Sequence, residues 1–439
     1  MAKNRKRHSL PMTLRFYRAM TRAVTPVVPL LLSRRAARGK ENPERVEERR
    51  GLTQIERPGG PIVWIHGASV GEIASIFPLI DRLRSLDWRI LVTSGTTTSA
   101  ALARERLTPD VIHQFIPVDT PRFMAQFLDY WQPSLGLFVE SDLWPNLLMA
   151  TSERKIPIIV VNGRLSERSF QRWRALQNTA RALMSRIELC LAQSSMDANR
   201  FSQLGAENVQ VTGNLKLDVP APPVNEKNLN ALRIAAAGRP VIVGASTHDG
   251  EEMAMIEAHR RLRQFFPDLL TIVAPRHAPR GREIYNLAER AGFVPALRSQ
   301  RQLPDKFTQI YVADTMGELG MLYRLSSIVF MGGSLVEHGG QNPIEAIKLG
   351  AAVVHGPHVW NFAEIYAALD AAHGAEEVDD PAKLAACMNH WLRNAGARMS
   401  AAAAGQKTIE RLGGALDRTV AQLEPYLMQL RLERSVDDA

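Results

Sequence analysis

The chain is predicted to fold as two doubly wound α/β domains, each a parallel sheet with helices on both faces. Three observations predict this. The length, 439 residues, exceeds what a single hydrophobic core usually serves. Short apolar runs alternate with helix-periodic segments along most of the chain. One proline-rich polar stretch, residues 217–230 (LDVPAPPVNEKNLN), breaks that rhythm near the middle.

The elements follow in order. Residues 62–66 (IVWIH) are the first strand, ending at Gly67, and residues 73–86 are helix-periodic. Residues 89–93 (RILVT), 113–117, 135–140 (LGLFVE), 156–161 (IPIIVV) and 189–192 (LCLA) are further strands, with helices over 95–101 and 123–131. In the second series, residues 240–244 (PVIVG), 269–274 (LLTIVA), 310–313, 328–331 (IVFM) and 351–355 (AAVVH) are strands, with helices over 250–265 and 282–291. Runs this continuously apolar suit strands buried on both faces, as in parallel sheets. The implied organisation is a basic and apolar segment (1–50), a Rossmann-like domain (51–216), a linker (217–230), a second Rossmann-like domain (231–415) and a C-terminal helix (416–439) that could return to the first domain.

The hydrophobic and charged fractions, 45% and 23%, are those of a folded protein. Cys190 and Cys387 lie far apart and match no metal spacing, which fits a reducing compartment without a disulfide framework. The net charge of +9 is concentrated at one end. Residues 1–40 contain eleven Lys or Arg and no Asp or Glu, so the remainder is close to neutral. Lys3, Arg5, Lys6 and Arg7 form a basic tip over residues 1–8. Leu14, Phe16, Tyr17, Met20, Val24 and Val27 then lie among Arg15, Arg18 and Arg22. An apolar run over 23–32, broken by Pro26 and Pro29, precedes Arg34, Arg35, Arg38 and Lys40. Ten apolar residues cannot cross ~30 Å of hydrocarbon, and no cleavable signal is evident. The expectation is a segment lying in the headgroup region of an anionic leaflet. The competing readings are a disordered basic tail and an apolar run packed on the first domain. The body has no basic groove with interleaved aromatics, so no nucleic-acid partner is expected.

Chemistry-bearing residues cluster at strand ends, where open α/β sheets bind ligands. Residues 66–72 (HGASVGE) follow the first strand; Gly67 and Gly71 permit a tight turn, but the dinucleotide spacing is absent. Glu72 opens the next helix. It is either a first-turn acid favoured by the helix dipole or a general base, and the dipole should keep it ionised at neutral pH. Residues 138–146 (FVESDLWPN) carry Glu140 and Asp142, which resemble a metal-binding pair without a nearby third ligand, so no metal site is expected. Arg164 and Arg168 could meet an anionic acceptor or form a solvated helix face. The acceptor-side candidates are thus Ser69, Gly71, Glu140 and Arg164. In the second series, residues 245–252 (ASTHDGEE) place Ser246 and Thr247 at a helix start able to cradle phosphate. Arg276 and His277 close the next strand, and a guanidinium there suits phosphate. Gly317, Glu318, Gly333 and Ser334 follow, then Asn342 and Glu345 in a Gly-rich helix start (HGGQNPIEA), with an acid able to hold ribose hydroxyls. Each fragment alone could be an ordinary βα turn.

Taken together, these motifs resemble the Kdo (3-deoxy-D-manno-octulosonic acid) transferase family. The matching pieces are HGASVGE (66–72), TSGTT (93–97), FVESDLWPN (138–146), VNGRL (161–165), QSS (193–195), VTGNLKL (211–217), ASTHDGE (245–251), APRH (274–277), 317–323, 332–334 and 338–346. They run in order over roughly residues 60–370. The resemblance implies a GT-B fold, two Rossmann-like domains facing across a cleft. It implies an inverting, metal-independent glycosyltransferase without a cofactor, using CMP-Kdo as donor. The acceptor it implies is a lipid A precursor (lipid IVA) in lipopolysaccharide core biosynthesis. It further implies Glu72 as general base, Arg276, Glu318, Asn342 and Glu345 at the donor site, Glu140 near the acceptor, and a peripheral or monotopic place on the cytoplasmic face of the inner membrane. The domain pattern alone also fits a GT-B enzyme using a UDP-sugar on a membrane acceptor, or a nucleotide-sugar epimerase.

Overall fold

Alternate residues of the first strand serve opposite cores, which is why its sequence is apolar throughout. In the computed structural model, which describes residues 10–437, Ile62 and Trp64 join one apolar layer with Phe127, Trp131 and Phe138. Val63 and Ile65 join the other with Ile76, Leu83 and Val92. Trp64 is wedged against Phe127 and Phe138 at ring separations of 5.0 and 5.1 Å, spacings favourable for tilted and edge-on aromatic pairs.

The chain divides into two compact units, Met1–Val219 with Gly413–Ala439, and Pro220–Leu412. The first holds β1 (Ile62–Gly67), β2 (Arg89–Ser94), β3 (Ile112–Phe115), β4 (Leu135–Val139), β5 (Ile158–Gly163), β6 (Leu189–Ala192) and β7 (Val209–Val211). They form one sheet in the order β3-β2-β1-β4-β5-β6-β7. The second holds β8 (Val241–Thr247), β9 (Leu270–Pro275), β10 (Pro295–Leu297), β11 (Ile310–Val312), β12 (Ile328–Met331), β13 (Ala352–His355) and β14 (Ala375–Glu377), ordered β10-β11-β9-β8-β12-β13-β14. The strand pairs in both sheets are parallel. The three-residue strands β7, β10 and β14 were not anticipated from sequence. The first unit is closed by the helix Ala415–Asp437, whose Ala415, Val420, Leu423 and Leu427 enter the layer containing Val63. Asp218 caps its start, accepting from Gly414 and Leu416 amides at 2.7 and 2.6 Å.

The basic tip over residues 1–8 lies outside the described residues. After it, Met12–Val24 and Val28–Ala37 are helices joined by a 3₁₀ turn. One side is docked: Leu14, Val28 and Leu32 are buried. The Tyr17 hydroxyl donates to Asp119 at 2.9 Å, and Arg18 grips Glu153. The other side is open: Met12, Phe16, Met20, Val24, Val27, Leu30 and Leu31 are exposed. From Met12 to Leu30 they recur every three or four residues, with Leu31 beside Leu30, and so make one apolar ridge. The packing expectation therefore holds for one face of this element, and the opposite face is open. Among the described residues no helix is long and apolar enough to cross a membrane.

Candidate functional site

β1 ends at His66 and Gly67, and the chain turns at Ala68 into the helix Val70–Ser85. Gly67 leaves room there: a Cβ would sit 3.2 Å from both Glu72 Cβ and Ile73 Cδ1, a tight approach. A Cβ on Gly71, by contrast, would meet only open space. Ser69 is the N-cap and its hydroxyl accepts from the Glu72 amide at 3.3 Å. The Glu72 carboxylate answers in kind: Oε2 accepts from the Ala68 amide at 2.7 Å and Oε1 from Ser69 Oγ at 2.8 Å. This reciprocal capping fixes the carboxylate at the sheet edge.

The same edge gathers β4 and β5. Glu140 leaves β4 with a left-handed backbone (φ 57°), and its carboxylate takes Lys216 Nζ at 2.8 Å. Left-handed backbone at a non-glycine residue costs energy and concentrates at functional sites. Asp142 Oδ2 lies 2.9 Å from Nε2 of the fully buried His66, whose Nδ1 meets Thr93 Oγ1 at 2.9 Å. Trp64 Nε1 donates to that same hydroxyl. Arg164 follows β5, half-buried at the same edge. Burial first, then the negative charge of Glu140, raises the Glu72 pKa above the ordinary carboxylate value; Asp142 adds to this, while the Ser69 and Ala68 hydrogen bonds oppose it. The expectation from the helix dipole alone therefore named only the lowering influence. A carboxylate with raised proton affinity is a better base.

In the second unit the expected donor residues separate into two groups. Ser246, Thr247, Gly333 and Ser334 are buried. The Gly333 and Ser334 amides donate to Glu251 at 2.7 and 2.9 Å, as do those of Leu335 and His248. A Gly-rich turn around an internal carboxylate has the same sequence signature as one built for an external anion. Thr247 Oγ1 donates to Glu252, and the Ser334 hydroxyl accepts from Gly356. Glu318 is held by Arg298 through bonds of 2.7 and 3.0 Å. The second group stays at the edge. Arg276 and His277 are exposed after β9, Gly317 is exposed after β11, and Asn342 and Glu345 are partly buried. Asn342 caps the five-residue helix Ile344–Lys348 by accepting from the Ile344 amide. Burial raises the Glu345 pKa. Among the described residues no three of His, Cys, Asp and Glu converge as metal ligands. Reading the sequence missed Glu251, a buried acid in a helix's first turn. It also missed His248 and His338, whose proximity spans ninety residues of chain.

Comparison with known proteins adds the following. A family model described as 3-Deoxy-D-manno-octulosonic-acid transferase (kdotransferase) matches residues 44–219. The 3-deoxy-D-manno-octulosonic acid transferase of Haemophilus influenzae is 32% identical over 421 residues, covering 94% of this chain and 98% of that protein. The 3-deoxy-D-manno-octulosonic acid transferase of Bordetella pertussis is 32% identical over 424 residues, covering 94% and 99%. Among solved structures, a glycosyltransferase from Rickettsia africae superposes with a TM-score of 0.59 at 13% identity, covering 84% of this chain and 99% of that one. At such identity the likeness speaks to fold, the GT-B class of paired Rossmann-like domains.

Proposed function

The chain belongs to the 3-deoxy-D-manno-octulosonic acid (Kdo) transferase family of glycosyltransferases, and from that premise we propose that it moves Kdo from CMP-Kdo to a lipid A precursor, with inversion and Glu72 as the base. The observation that carries the assignment of Glu72 is its setting. It is a partly buried carboxylate, aimed by Ala68 and Ser69, with its proton affinity raised by burial and by Glu140. In the reaction, an acceptor hydroxyl attacks the anomeric carbon of Kdo as its proton passes to Glu72. The bond from that carbon to the phosphate oxygen breaks, and the electron pair leaves with CMP. Arg276, at the edge of the second sheet, meets the charge growing on the phosphate. No metal is needed in this scheme: the carboxylates of Glu140 and Asp142 are already held by Lys216 and His66.

The acceptor is a lipid, and the N-terminal helices meet that requirement. Their apolar ridge, with Arg15, Arg22, Arg34 and Arg38 exposed on the same segment, fits the headgroup region of an anionic bilayer. Its place is then the cytoplasmic face of the inner membrane, without a span.

Mass spectrometry tests the reaction. Purified protein incubated with CMP-Kdo, a tetra-acylated lipid A precursor and a chelator is expected to yield CMP and a Kdo-bearing lipid. Transfer only from a UDP-sugar, or CMP-Kdo left intact, overturns the proposal.

A further inference from the structure

Three imidazoles of the second unit cluster beside Arg276, and Kdo transfer, as proposed, gives no role to two of them, His248 and His338. His248, just after β8, stacks on His338 with ring centroids 4.1 Å apart and planes 21° from parallel. His277, just after β9, stands edge-on to His248 at 5.9 Å. Gln341 Nε2 lies 3.1 Å from His248 Nε2. In that orientation the amide donates to a bare ring nitrogen, which describes a neutral His248 protonated at Nδ1. Rotating the amide by half a turn presents its oxygen instead, so the same side chain can partner a protonated ring. Gly333 makes this contact possible: a Cβ there would sit 3.3 Å from both Gln341 Nε2 and His248 Cδ2.

The charges around the stack are unbalanced. Burial, then His338, His277, Arg276 and Arg280, push the His248 pKa down to about 4. The nearby anions are already engaged. Glu252, Glu283 and Asp249 all pair with Arg280, and Glu251 is surrounded by backbone amides. The Arg276 guanidinium has no hydrogen bond or ion pair among the described residues. The rings do not converge as metal ligands.

We propose that the His248–His338 stack, with Arg276 and His277 beside it, holds the phosphate of the donor nucleotide and takes up one proton as that phosphate binds. This rests on the donor site lying in the second unit. Burial is the main reason His248 is neutral and repulsion by its cationic neighbours adds to it; an oxyanion among these groups offsets that repulsion, so the ring's proton affinity rises on binding. By linkage, the nucleotide binds more tightly as pH falls through the range in which only the bound form carries the extra proton. The proton enters from solvent and leaves with the nucleotide; no covalent bond changes in this step.

The test uses the full chain with ¹³C-labelled histidine and CMP as the probe. The His248 ring signal, assigned by His248→Gln, is followed against pH with and without saturating CMP. Its midpoint is expected to rise by about two units with CMP. Cytidine, lacking the phosphate, should leave it in place. His338→Phe keeps a stacked ring and removes one like charge, so the free-state midpoint should rise; this also assigns the signal if His248→Gln does not fold. CMP binding that shifts other signals and leaves the His248 midpoint fixed overturns the inference while sparing the donor-site reading. An equal shift with cytidine also overturns it. No binding of CMP at all removes both.

Discussion

In the proposed mechanism Glu72 answers to two demands at once. As a capping acid it should be anionic and satisfied; as a base it should want a proton. The Ala68 and Ser69 bonds serve the first, while burial and the neighbouring Glu140 and Asp142 serve the second. Because the pKa is raised, the base is lost as pH falls through a value above the ordinary carboxylate range. The acid limb of kcat/KM is therefore expected above about pH 4.5. Glu140→Gln removes the largest charge contribution, so that limb should move to lower pH; a pH–rate profile that stays in place, or moves upward, contradicts the electrostatic account. At this scale the sequence was half legible. The HGASVGE motif located Glu72 because turn, cap and acid are adjacent in the chain. The His66–Asp142 bond was hidden because its partners are 76 residues apart. The Glu251 carboxylate inside the Gly333–Ser334 turn was hidden for the same reason, since it is contributed from 82 and 83 residues away.

The N-terminal helices are part of the fold on one face and, in the proposal above, a docking surface on the other. Leu14, Val28 and Leu32 are buried and Tyr17 latches to Asp119. Deleting residues 1–40 would therefore damage the first unit as well as any membrane contact. Point changes on the ridge separate the two. Phe16→Glu with Leu31→Glu alters only exposed positions, so the melting temperature should hold. Partition onto vesicles containing anionic lipid should fall roughly tenfold or more, given ~1.5–3 kcal/mol per buried large apolar side chain. Unchanged vesicle binding contradicts the ridge as the contact. The longer, apolar strands of both sheets could be read from the chain because burial on two faces leaves a continuous signal. The edge strands β7, β10 and β14 could not, since three residues with one neighbour carry no periodicity.

At the scale of the whole molecule, the chain leaves the first unit at Val219 and returns at Gly413. Asp218 marks both events, sitting at the exit and capping the returning helix. Asp218→Ala is expected to cost about 1–2 kcal/mol of stability, seen as a lowered unfolding midpoint of the first unit; an unshifted midpoint removes the cap from the account. The two-sheet design was visible in the sequence because the linker and the repeated strand–helix alternation are composition signals. The return of the C-terminal helix was legible only as an option, because it depends on which apolar surface the helix covers. The division has a functional consequence: donor binding is assigned to the second unit and proton acceptance to the first, so the two should be separable by mutation. Glu72→Gln tests this most directly, by measuring CMP-Kdo binding and single-turnover Kdo transfer in the same preparation. The account predicts donor affinity within a few-fold of the unaltered protein and transfer slowed by about 10²–10⁴. Transfer at a near-normal rate, in a variant that binds donor normally, would contradict it.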